Sequence, residues 1–149
     1  MAAVLIQVDG SARFNPGPAG VGVKVMAADG RTTKEISRFI GNRTNNQAEY
    51  EAMLLGLCEA MEHAAEQVVI ETDSALIYNQ LLGRFKVKDS GLKPLHARCR
   101  ELLARLPRIT LRLVPREENK AADKLAQAAS AAGAKPPDRT AEGSGSFPA

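Results

Sequence analysis

Four acidic residues stand out by the company they keep. Asp9 closes the apolar run Val4-Leu5-Ile6-Gln7-Val8 and is followed by Gly10-Ser11. Glu49 lies in Thr44-Asn45-Asn46-Gln47-Ala48-Glu49-Tyr50, where a helix should begin. Asp73 closes Val68-Val69-Ile70-Glu71-Thr72, and Asp123 follows Val114-Pro115-Arg116-Glu117-Glu118-Asn119 by four residues. Acids that converge at the ends of such elements have one common use, which is to hold divalent cations beside a phosphate. Crowded carboxylates repel one another and cannot all stay ionised without a cation. An all-oxygen set without His or Cys selects hard ions, hence Mg²⁺ or Mn²⁺. Two such ions about 3.5–4 Å apart activate water and stabilise the leaving oxygen in phosphodiester cleavage.

Each acid also has a plainer reading. Asp9-Gly10-Ser11 could be a turn, and Asp73-Ser74 a helix N-cap. Glu49 could be a first-turn acid favoured by the helix dipole, and Asp123 a surface acid near a helix start. Four acids, each at the end of its own element and in this order, favour a site over four coincidences. Neither histidine is near them in the chain: His63 ends one helix and His96 sits in another, and both read as surface residues. There is no Walker lysine, no Gly-Xaa-Ser-Xaa-Gly, no zinc spacing and no dinucleotide fingerprint.

The elements that must position these acids can be read from periodicity. Val4–Val8 is a strand with few polar interruptions, as expected for a central position. Asn15-Pro16-Gly17-Pro18 is a loop. Val21, Val23 and Val25 alternate with Gly22 and Lys24 in a second strand. Asp29-Gly30 turns the chain into a third strand over Thr33–Ile40. Thr44-Asn45-Asn46 offers N-caps for a helix reaching about His63. On it Glu49, Met53, Gly56, Leu57 and Ala60 share a face, so the carboxylate points with the core stripe. Gly56 predicts close packing on the sheet.

Val68–Thr72 is the fourth strand, and Ser74–Leu82 a short helix closed by Gly83. Pro94 opens a helix striped by Leu95, Cys99, Leu102, Leu103 and Leu106. Ile109, Leu111 and Leu113 mark the fifth strand, and Asn119 is read as the N-cap of a last helix to about Ala132. The order β-β-β-α-β-α-α-β-α implies an α/β fold with a five-stranded mixed sheet and helices on both faces. The first, fourth and fifth strands would be parallel. If the first and fourth are neighbours, Asp9 and Asp73 end at one edge, where ligands of such sheets bind.

The bulk properties fit one domain, read as residues 1–133, with 134–149 a disordered tail or linker rich in Pro, Gly, Ser and Ala. Aromatic residues make up 4% of the chain and Trp is absent, so aliphatic side chains must fill the core. No stretch is long enough to span a bilayer, and Met1–Val8 lacks the basic flank of a signal peptide. Cys58 and Cys99 lie on apolar helix faces and read as buried free thiols, which suits a reduced, cytoplasmic compartment. The net charge is +3, yet residues 84–116 carry ten Lys/Arg against Asp89 and Glu101. A basic flank beside an acidic centre suits a protein that holds a polyanion by its phosphates and cuts it with metals.

Across residues 4–132 the chain resembles the type 1 ribonuclease H family. The resemblance rests on Val8-Asp9-Gly10-Ser11 with Asn15-Pro16-Gly17-Pro18, Thr44-Asn45-Asn46-Gln47-Ala48-Glu49, Thr72-Asp73-Ser74, and Val114-Pro115-Arg116-Glu117-Glu118-Asn119 with Asp123. It implies hydrolysis of the RNA strand of RNA–DNA hybrids, largely independent of sequence, with two ions held by Asp9, Glu49, Asp73 and Asp123. It implies hybrid contacts at Gly10, Ser11, Asn15, Asn45, Asn46 and Ser74, and a DNA-phosphate contact at Thr44. Lys86 and Lys88, with Lys93, would grip phosphates, and a monomer would suffice.

Two departures bear on mechanism. Many members carry a His in the loop before the last Asp; here the loop is Pro115-Arg116-Glu117-Glu118, and Arg116 stands nearest that position. This version resembles an archaeal-like bacterial subgroup whose members can also cut RNA duplexes. Gly83–Pro94 is a short connection where well-known members have an extra helix and a basic loop. Rival readings are a catalytically weak nucleic-acid-binding domain of the same fold and a related DNA junction endonuclease.

Overall fold

The computed structural model describes residues 3–134; of the expected tail, residues 135–149 lie outside the described residues, and Ala134 belongs to the last helix. The chain runs β1 (Val4–Ala12), β2 (Gly17–Met26), β3 (Thr32–Arg43), α1 (Asn45–Met61), β4 (Val68–Thr72), α2 (Ala75–Leu81), α3 (Lys93–Ala104) and β5 (Ile109–Leu113). A single 3₁₀ turn (Arg116–Glu118) then leads into α4 (Lys120–Ala134). The sheet order is β3-β2-β1-β4-β5. β1, β2 and β3 pair antiparallel, whereas β1–β4 and β4–β5 are parallel. This is the mixed sheet that the element order implied, with β1 and β4 adjacent.

α1 packs against β1 and β2 and α4 against β1, β2 and β3, while α3 packs on α1. The core is aliphatic: Ile6, Val8, Val23, Val25, Met53, Leu57, Ile70 and Ile77 are fully buried around Tyr50. Truncating one of the large members, such as Leu57, would cost about 2–5 kcal/mol. The Tyr50 hydroxyl donates to Gln80 Oε1 at 2.6 Å, so its polar end is satisfied inside the core. Gly56 does allow close approach: a Cβ there would stand 2.5 Å from Val8 Cγ1.

Local signals set the helix starts. Thr44 caps α1 through a capping box, its Oγ1 accepting from Gln47 N while Gln47 Oε1 accepts from Thr44 N. Ser74 caps α2, its Oγ accepting from Ile77 N. Gly83, at φ +78°, follows α2 in a conformation that L side chains resist.

Four expectations are corrected. β1 does not stop at Val8; it runs to Ala12, because β2 pairs with it beyond the parallel ladder and sets Asp9 opposite Gly22. Asp9 therefore lies within a strand, just past the last β1–β4 pair at Gln7 and Glu71. Cys58 is exposed, since it lines an open cleft between α1 and the β2–β3 edge with Arg38, Ile40 and Leu54; Cys99 is buried as expected. His96 is half-buried and not a surface residue, with its ring edge-on to Tyr50 and its Nε2 against Gln80 O. Asn119 does not cap α4 with its side chain, which turns inward instead.

Candidate active site

The parallel pair β1–β4 carries Asp9 and Asp73 to one edge of the sheet, and the first turns of α1 lay Glu49 over it. One oxygen from each of Asp9, Glu49 and Asp73 lies within 4.8 Å of the others. Asp9 is 5% exposed. Gly10 N donates to Glu49 Oε1 at 2.9 Å, tying the helix acid to the strand that carries Asp9.

The electrostatics are those of charges crowded out of water. Burial, and then the adjacent charge of Glu49, push the Asp9 carboxyl up to about 10. Burial raises Glu49 to about 7, against the opposing pull of the Gly10 N–H and the Arg116 guanidinium. Three clustered oxygen donors, with no nitrogen or sulfur ligand among them, fit a hard divalent cation.

Around the acids lies a cavity of about 220 Å³ lined by Gly10, Ser11, Asn45, Asn46, Arg116, Asp123 and Gln127, with Asp9 and Glu49. Asp123 thus faces the same space, but it stands outside the three-acid cluster. Gln127 Nε2 donates to both its oxygens at 3.1 Å, holding it one turn into α4.

The amides beside the acids are locked. Asn15 Oδ1 accepts from Asn45 N at 2.8 Å, and Asn45 Oδ1 accepts from Ala12 N at 2.9 Å. With both oxygens committed, the NH₂ ends remain to donate outward. Asn46 is exposed on the cavity wall. Thr44 and Ser74 use their hydroxyl oxygens as caps, which leaves each O–H proton free to donate.

Lys86 lines a separate cleft with Lys93, Arg100, His96 and the half-exposed Phe85. Lys88 is exposed and does not line that cleft. His63 pairs with Glu66, and neither histidine lines the acidic cavity.

Two supporting residues were not visible in the sequence. Asn119 is fully buried and donates Nδ2 to Val8 O at 2.9 Å and to Asp73 Oδ2 at 3.3 Å. Its backbone oxygen accepts from Asp123 N, so one residue touches the strand before Asp9, Asp73 and the helix of Asp123. Its one sequence signal is its place before α4, which by itself points only to a cap. Gln7 Nε2 donates to Glu71 Oε1 and to Glu118 O, fastening the turn that carries Arg116 to the sheet.

Against known proteins, the family described as reverse transcriptase-like matches residues 7–129. The bifunctional protein Rv2228c of Mycobacterium tuberculosis is 41% identical over 83% of this chain, which spans 34% of that protein's length. Its N-terminal RNase H domain, solved as a fusion with maltose binding protein, superposes with a TM-score of 0.80 at 40% identity, over 85% of this chain and 98% of that one. The ribonuclease HI of Halobacterium salinarum is 39% identical over 81% of this chain and 61% of its own length. The crystal structure of RNase H1 from that archaeon matches at TM-score 0.80 and 38% identity, covering 85% of this chain and 96% of that one. LC11-RNase H1, isolated from compost and solved in complex with an RNA/DNA hybrid, matches at TM-score 0.79 and 38% identity, over 87% and 97% of the two chains. The chain belongs to the reverse transcriptase-like family and is a ribonuclease H-like domain.

Proposed function

We propose that this chain is an endoribonuclease that hydrolyses the RNA strand of RNA–DNA hybrids, largely without regard to sequence. The observation that carries this reading is the oxygen cluster of Asp9, Glu49 and Asp73 beside the outward-facing amides of α1. Asp9, Glu49, Asp73 and Asp123 would hold two divalent ions, Mg²⁺ or Mn²⁺, which would supply an activated water and stabilise the departing oxygen.

The remaining work falls to the chain's own groups. The NH₂ ends of Asn15, Asn45 and Asn46, with the backbone at Gly10 and the Ser11 hydroxyl, are suited to the 2′-OH and minor-groove acceptors of an RNA strand. The 2′-OH is what separates RNA from DNA, and a grip on sugars leaves the bases largely unread. The O–H protons of Thr44 and Ser74 can be given to phosphate oxygens. Lys86 and Lys93 in the basic cleft, with Lys88 outside it, would draw in the partner strand's phosphates. Arg116, whose charge opposes part of the rise in Glu49, would place a fixed positive charge beside the reacting phosphate.

All four acids come from one chain, so a monomer is sufficient. The two free thiols suit a reducing cytoplasm. Among the described residues no helix is long and apolar enough to cross a membrane. The domain reading, residues 1–133 as one catalytic unit, stands as part of the same proposal.

The test is one cleavage assay with labelled hybrid, RNA duplex, single-stranded RNA, DNA duplex and a DNA junction, in Mg²⁺ and in Mn²⁺. Cleavage of the hybrid's RNA strand and not of its DNA supports the reading. Cleavage of the RNA duplex widens the substrate range as in the subgroup the chain resembles. An uncut hybrid with either ion leaves the binding-domain reading, and cutting of the DNA junction alone leaves the junction endonuclease.

A further inference from the structure

The β1–β2 loop holds a side chain where folding alone would not put one. Phe14 is 85% exposed, the most exposed large apolar residue among those described. Its φ is +59°, and among the described residues it is the only non-glycine with positive φ. A bulky residue in the left-handed region is a backbone outlier, and such outliers gather at functional sites because the surroundings must impose them.

The surroundings here do impose it. Arg13 N donates to Pro18 O at 2.9 Å and closes the loop at its base. Gly17 is packed so closely that a Cβ would fall within 1.8 Å of Arg13 O. The next residue, Asn15, fastens the loop to α1 by accepting from Asn45 N, and Asn45 returns a bond by accepting from Ala12 N. Asn45 lines the acidic cavity. The loop is therefore tied to the cavity wall, and Phe14 is its one large apolar group turned to solvent.

We propose that Phe14 is a substrate-contact residue, its ring packing on the sugar-lined wall of the hybrid's minor groove next to the nucleotides that Asn15 and Asn45 hold. This rests on the reading of the domain as a hybrid-cleaving nuclease. Sugars present C–H edges that an aromatic face covers without reading sequence. The backbone that carries the ring is already ordered, so on binding only the two side-chain torsions of Phe14 lose freedom and the contact is gained at low entropic cost. Stacking and packing on aromatic side chains is a sequence-tolerant way to hold nucleic acid, which matches a grip that leaves the bases unread.

The test exploits opposite signs. Asn tolerates the left-handed region, so Phe14→Asn removes the ring and relieves the backbone; Phe14→Gly does the same by a second route. Phe14→Tyr keeps the ring. The expected result is that Phe14→Asn and Phe14→Gly melt at or above the parent temperature. Their KM for a labelled hybrid should rise roughly tenfold, within the range known for base–aromatic contacts, with kcat within about twofold of the parent. Phe14→Tyr should keep the parent KM. The salt dependence of binding should keep its slope, since no charge is removed. An unchanged KM in both ring-less variants, with the parent chain active, overturns the contact while leaving the nuclease reading intact. A lowered melting temperature that tracks lost activity assigns Phe14 a structural role and also overturns it. A parent chain that neither binds nor cuts the hybrid overturns the nuclease reading and this inference together.

Discussion

Gly10 N donates to Glu49 Oε1 at 2.9 Å, and the position has room for nothing larger than hydrogen on its α-carbon. A Cβ there would stand 2.2 Å from the carbonyl carbon and oxygen of Ala48, both backbone atoms that cannot swing aside. Gly10→Ala must therefore push α1 off β1, and with it Glu49 away from Asp9. Overpacking of this kind costs about 1–3 kcal/mol. Hybrid cleavage should fall about a hundredfold or more, because a misplacement near 1 Å suffices for that. Denaturant unfolding and single-turnover cleavage measure both effects; parent-like stability and activity would show that the close approach is not needed.

Asp9→Asn and Asp73→Asn should each abolish cleavage with the fold intact, as each removes a negative ligand from a site that needs several. The expected loss is about a hundredfold or more. Circular dichroism of the variants should match the parent. Retention of more than about a tenth of the activity by either variant would sink the assignment of that acid.

Stability of the metal-free protein should depend on pH with a defined sign. Asp9 is raised from 3.8 to about 10 and Glu49 from 4.5 to about 7 in the fold. The folded chain thus holds protons that the unfolded chain releases above about pH 4. Their contribution is fully present below that pH and is lost as pH rises through 7 and on towards 10. Melts in chelator should show Asp9→Asn gaining on the parent as pH increases, on the order of 5 °C by pH 8. Added Mg²⁺ should raise the parent's melting temperature by mass action and Asp9→Asn less. A gap between the two proteins that shrinks with rising pH would contradict the burial of Asp9's charge.

Much of this site could be read from the chain because its geometry follows from local pattern. Asp9 and Asp73 close apolar runs, and parallel neighbours bring such closures to one edge. Glu49 falls on the stripe of Met53, Gly56 and Leu57, so helical periodicity alone turned it inward. What stayed hidden depends on partners far away in sequence. Asn119 looked like a cap because its bond to Val8 O spans 111 residues. The bond from Gln7 to Glu118 O spans the same distance, and no local propensity encodes it. β1 looked shorter than it is because Gly10-Ser11 reads as a turn until β2 supplies its hydrogen-bond partners. Cys58 looked buried because an apolar residue on a mostly apolar helix gives no sign of which flank goes uncovered.

Hybrid binding should weaken steeply with salt. Lys86 and Lys93 line one cleft with Arg100, and Lys88 stands exposed on the same connection. Replacing Lys86, Lys88 and Lys93 together should lower the slope of log affinity against log salt by roughly two to three units. Replacing Lys88 alone should change it least, since it lies outside the cleft. A slope unchanged in the triple variant would return the segment to an ordinary solvated surface.

Arg116 shares the acidic cavity with Asp9, Glu49 and Asp123 and lowers the proton affinity of Glu49 by its charge. An arginine guanidinium stays charged in proteins. It can therefore act as a fixed charge near the reacting phosphate and not as a proton shuttle. Arg116→Ala should lower kcat by roughly ten- to a hundredfold and hybrid affinity by much less, leaving residual activity that the acids and their ions sustain. The pH–rate profile of the parent should lack an inflection near about 6.5 from an essential histidine. His63→Ala should be nearly silent, because His63 pairs only with Glu66 at the far end of α1. His96→Ala should act on KM, since His96 lines the Lys86 cleft and rests against Tyr50. A large fall in kcat for the His63 and His96 double variant, with its melting temperature unchanged, would mean that a histidine reaches the reacting phosphate and that Arg116 does not stand in for one.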